Sequence, residues 1–106
     1  MATVTIKPNQ ADNSLFDVSG QLNQQTVPSL SKKQLKQLVK ESNCRLDFSQ
    51  VTHVDTAGLA WVLLLIESAQ QHQCEINLIN LPQDMIKLAQ LSGLDTVFAN
   101  LVSTTQ

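Results

Sequence analysis

The chain has 106 residues, 42% of them hydrophobic, with three Gly and three Pro; this fits one ordered domain over 1–106 and excludes a disordered segment. A formal net charge of -2 excludes a nucleic-acid binder that works by bulk phosphate neutralisation. The longest apolar run, residues 57–66, is about half a membrane span and the first residues carry no basic region leading into an apolar one, so neither membrane insertion nor a secretory signal is expected.

Residues 4–7 and 15–19 have strand character, and residues 8–13 supply turn residues between them, which predicts a hairpin with a long loop. Gly20 ends the second strand. Pro28 then opens a helical pattern, with Leu30, Leu35, Leu38 and Val39 on one side and Lys32, Lys36 and Lys40 on the other. That lysine stripe reads as a solvated face, whose contact with an acidic partner or lipid surface would be modest and salt-sensitive. Ser42 and Asn43 stop the helix.

Residues 44–48 form the third predicted strand, residues 56–72 a helix, and residues 75–79 a fourth strand. Leu81-Pro82-Gln83-Asp84 opens a third helix with Met85, Leu88, Ala89 and Leu91 facing inward. Gly93 is placed as its left-handed cap, with Leu94 closing over it. Residues 95–98 read as a short last strand or extended segment, and residues 103–106 as a frayed end. Strands alternating with helices predict an α/β fold: a mixed sheet of about four to five strands, with helices packed mainly on one face. The two cysteines, Cys44 and Cys74, each begin a strand and read as reduced, buried thiols. No CxxC or neighbouring His completes a metal site, and no cofactor is expected.

The candidate site lies where the third strand feeds the second helix. Asp55 stands at the N-cap, where a carboxylate accepts the unpaired N–H groups of Ala57 and Gly58 and meets the positive end of the helix. Thr56 is the alternative cap, and either arrangement presents its hydroxyl on an exposed first turn. Nothing nearby activates Thr56 as a nucleophile: His53 shares the loop, but no third residue orients it. Along the helix, Leu59, Val62, Leu63, Ile66 and Ala69 form a stripe for the sheet, while Trp61, Leu64 and Leu65 project from the opposite half. Neighbouring helices can cover that second face. Left open, a Trp-Leu patch beside a helix N-terminus has the composition of an interface hot spot.

The run Leu46-Asp47-Phe48-Ser49, then Val54-Asp55-Thr56-Ala57-Gly58-Leu59, resembles the hallmark of STAS domains, the fold of bacterial anti-sigma-factor antagonists and sulfate-transporter tails. Leu91-Ser92-Gly93-Leu94 with Val97-Phe98, and Ser19-Gly20-Gln21-Leu22-Asn23, resemble other segments of that family. Thr at position 56 and the Leu-rich stretch 60–66 favour the branch of small stand-alone subunits of the ABC system that moves phospholipids between the two membranes of Gram-negative bacteria. The resemblance implies a cytoplasmic protein that is not an enzyme, held at the inner membrane through a transporter complex with permease and periplasmic lipid-binding subunits. There it would bind the ATPase subunit and support a machine that maintains outer-membrane lipid asymmetry; the reading of the helix has it dock through Asp55, Thr56, Ala57, Trp61, Leu64 and Leu65. The alternative it implies is an anti-sigma factor antagonist switched by phosphorylation at Thr56. Where the family usually reads Gly-Glu-Leu-Asp, this chain has Gly20-Gln21-Leu22-Asn23, which puts a role of those carboxylates in nucleotide or kinase contact in question. Asp47 and Asp55 without a further acidic pair argue against a metal-dependent phosphoacceptor.

Overall fold

A computed structural model describes residues 2–12 and 14–99. Four strands form one sheet in the order β1-β2-β3-β4, with β1 (Val4–Pro8), β2 (Leu15–Leu22), β3 (Asn43–Val54) and β4 (Glu75–Ile79). The β1–β2 hairpin is antiparallel, and β3 runs parallel to both β2 and β4, as helical crossovers require. The helices are α1 (Lys32–Leu38), α2 (Thr56–Gln71), α3 (Gln83–Leu91) and α4 (Asp95–Ala99), and a 3-10 turn at Val27–Ser29 precedes α1.

The alternation of the strands makes the sheet two-faced. Val4, Val18, Leu22, Cys44, Leu46, Phe48, Ile76 and Leu78 are buried on one face, and α2 packs there against β2, β3 and β4. The opposite face carries Thr5, Lys7, Asp17, Ser19, Arg45 and Asp47, all exposed or half-buried. The expected mixed sheet with helices on one side is the fold observed.

Several local features differ from the sequence pattern: β2 runs through Gly20 to Leu22, and α1 ends at Leu38, before Ser42 and Asn43. The stretch after Pro28 is split: the 3-10 turn ends at Ser29, and Ser31 starts α1 as a true N-cap, its hydroxyl accepting the Gln34 N–H at 3.1 Å. Strand β3 continues six residues past Phe48 because β2 keeps pairing with it through two bulges, between Asp17 and Ser19 and between Gly20 and Gln21. Residues 95–98 belong to α4 instead of a strand. Leu91, expected to face inward, is 86% exposed. The α3 cap follows expectation: Gly93 has φ +71°, and the Leu94 N–H donates to the Ala89 carbonyl at 2.7 Å. The expected frayed end, residues 103–106, lies outside the described residues.

Candidate functional site

Asp55 is the N-cap of α2, and its Oδ1 accepts the N–H of Ala57 at 2.9 Å and of Gly58 at 3.1 Å. Its other oxygen, Oδ2, accepts the Gln24 N–H at 3.1 Å, and its own N–H donates to the Leu22 carbonyl. One carboxylate therefore joins the helix start to the loop that leaves β2. That loop is itself braced. The buried Thr26 hydroxyl donates to the Gln21 carbonyl at 2.6 Å and accepts the Asn23 N–H at 3.1 Å.

Gly58 sits in the first turn of α2 directly over the end of β2. A Cβ there would meet the Leu22 carbonyl oxygen at 2.3 Å, so only glycine permits the helix to sit this close. The partner in that close approach is the chain's own backbone.

Asp47, from the Leu46–Ser49 motif, does a different job. Its Oδ1 accepts the Ser49 N–H at 2.9 Å and the Asn80 side-chain N–H at 3.1 Å, just where β4 leaves the sheet through Asn80 at φ 56°. Burial pushes the Asp47 carboxyl up, but the hydrogen bonds from the Ser49 N–H, Asn80 and the Ser49 hydroxyl outweigh it and hold the group below its usual value. Asp47 thus ends the β3–β4 pairing and lies away from the Thr56 turn.

Thr56 is exposed, Asp55 and Ala57 are half-buried, and Leu64 is 55% exposed. Trp61 and Leu65 correct the expected docking face: Trp61 is 4% exposed and Leu65 is fully buried, because α2 contacts the 3-10 turn and α1 as well as α3 and the sheet. Both belong to the core. Leu63, expected on the sheet stripe, is half-buried instead. The open face of α2 is accordingly Thr56, Ala60, Leu63, Leu64 and Glu67.

Beside Thr56 lies a groove of about 380 Å3 lined by Val54, Asp55, Thr56, Asp84, Lys87 and Leu88. Asp84 and Lys87 come from α3, whose packing against α2 brings an acid and a base to the Thr56 turn. Sequence reasoning placed α3 correctly but had no signal that this edge faces Thr56. His53 is exposed on β3, opposite Gln21, and His72 is the C-cap of α2 with Nδ1 2.9 Å from the Ser68 carbonyl. Among the described residues no group of three His, Cys, Asp or Glu side chains could hold a metal ion. Nor is any described helix long and apolar enough to cross a membrane.

A two-layer module with an exposed hydroxyl on a braced strand-to-helix turn is the class this architecture defines. The chain belongs to the STAS family: residues 7–103 match the family described as "Mlab, STAS domain". Curated relatives named "Anti-sigma-B factor antagonist" in Listeria monocytogenes and Listeria innocua are each 26% identical over 96 residues, spanning 90% of this chain and 84% of theirs. The solved structure of the anti-sigma factor antagonist SpoIIAA in its unphosphorylated form shares the fold, with a TM-score of 0.59 and 14% identity over 82% of this chain and 83% of that one.

Proposed function

We infer that this chain is a non-catalytic regulatory protein that acts by binding a partner through the Thr56 turn and the open face of α2. The observation that carries this reading is the exposed Thr56 on a turn made rigid by Asp55, flanked by Leu64 on one helix and by Asp84 and Lys87 on the next. Such a surface needs no reordering to dock, which lowers the entropic cost of association. The protein's effect is differential binding: a partner arrangement held about 1.4 kcal/mol more tightly becomes tenfold more populated.

Two partners fit. An anti-sigma factor is supported by the names of the curated relatives and by the fold shared with SpoIIAA. In that reading phosphate on Thr56 would add about -1.5 to -2 charges beside Asp55 and Asp84 and repel the docked partner. The ATPase of an ABC transporter that carries phospholipid between membranes is supported by the family description and by the neutral Gln21 and Asn23 in the adjoining loop. There the chain would sit peripherally on the cytoplasmic side of the inner membrane, through its complex.

Affinity purification of the chain from its native cells decides between them. Co-purification of a transporter ATPase that Thr56→Glu abolishes supports the transport reading. An anti-sigma factor in its place, with stoichiometric phosphate on Thr56 by mass spectrometry, supports the switch. Undiminished partner recovery with both Thr56→Glu and Leu64→Glu removes the docking surface from either reading.

A further inference from the structure

Lys32, Lys33, Lys36 and Lys40 are four of the chain's seven cationic side chains, gathered within nine residues of a protein whose formal net charge is -2. All four are exposed, and the first turn of α1 carries no acid. The one ion pair among the described residues, Arg45 with Asp12, is elsewhere. The molecule therefore has one positive pole, and its remainder is acidic. We propose that this pole is a docking surface for an anionic lipid membrane.

The chemistry of the patch separates a membrane from a protein partner. Lysine is a strongly hydrated point charge on a flexible stem, and it is depleted at protein interfaces, where forked Arg is favoured. A cluster of four, three on α1 and Lys40 just past its C-terminal end, is the size that responds to an anionic lipid surface. The apolar side of the segment is already used: Leu38 and Val39 are buried and Leu35 packs against the core. No apolar side chain of this segment is left to insert among acyl chains, so the contact is electrostatic and reversible. Glu41, exposed beside Lys40, is the acid on this segment and trims the attraction at its end.

The test is cosedimentation of the purified chain with vesicles of phosphatidylcholine alone, or of phosphatidylcholine mixed equally with phosphatidylglycerol, at low ionic strength. Binding is expected to the anionic vesicles alone and to vanish near 1 M salt, where the Debye length is about 3 Å. Lys36→Gln lowers the partition roughly fivefold, the four-lysine-to-glutamine variant abolishes it, and Lys7→Gln changes it less than about twofold. Circular dichroism confirms that each variant is folded. Equal binding to both vesicles, binding to neither, or equal losses from Lys7→Gln and Lys36→Gln would overturn the proposal. So would capture by polyglutamate at a salt concentration where vesicles are ignored. The patch shares no residue with the Thr56 groove, so failure here and failure of partner docking are distinct results.

Discussion

Asp55 accepts the backbone N–H of Gln24 across 31 residues of sequence while capping α2 with its other oxygen. Replacing it with alanine strips three N–H groups of their acceptor. Asp55→Ala should cost about 2–3 kcal/mol, the sum of a lost cap and a lost tether, and Asp55→Asn less, since one carbonyl oxygen remains. Urea denaturation measures both; equal stability of Asp55→Ala and wild type would refute the tether.

Trp61 and Leu64 lie on the same helix and should separate folding from docking. Trp61→Ala opens a cavity in the core and should cost about 3–5 kcal/mol. Leu64→Ala, at an exposed position, should stay within about 0.5 kcal/mol of wild type while weakening partner recovery. A thermal melt paired with a pull-down reads both quantities from the same preparations.

Two glycines resist the same substitution for different reasons. Gly58→Ala forces a methyl group onto the Leu22 carbonyl and should cost about 1–3 kcal/mol or more. Gly93→Ala meets nothing within 4 Å, and its penalty is confined to the positive φ, about 1–2 kcal/mol. A larger loss at Gly93 than at Gly58 in denaturant midpoints would contradict the close approach of α2 to β2.

Stability should fall at both ends of the pH range. The Asp47 carboxyl, ordinarily at 3.8, is lower in the folded chain, so its contribution is complete above 3.8 and is lost as pH falls through the folded value. Burial, with Cys74 beside it, pushes the Cys44 thiol from 9.0 up to about 12. Between those values the unfolded thiol ionises while the folded one stays protonated, so stability drops as pH rises. Urea midpoints across pH should show both limbs, with Asp47→Asn flattening the acid one and Cys44→Ala the alkaline one.

The elements legible in the sequence are those whose partner is implied by their own periodicity. Alternating apolar residues in β1, β2 and β4 and the 3.6-residue repeat in α2 and α3 each name a buried face. What escaped depends on neighbours distant in sequence. Residues 49–53 carry no alternation of apolar side chains, and they are strand only because β2 extends beside them. Trp61 and Leu65 point away from the predicted sheet stripe, yet α2 is flanked by helices and the stripe broadens to half its circumference. The single-helix projection had no means of including those flanks. The Asp55 cap was readable from local chemistry, whereas its hold on Gln24 and the groove with Lys87 arise from tertiary placement.

The seat of Gly58 on the Leu22 carbonyl has a mechanical corollary. A rod seated this closely on the strand beneath it has little room to slide at its first turn, so a change at its tip would act first on the surface there. A modification of that threonine would then be read on the spot, by whatever docks there.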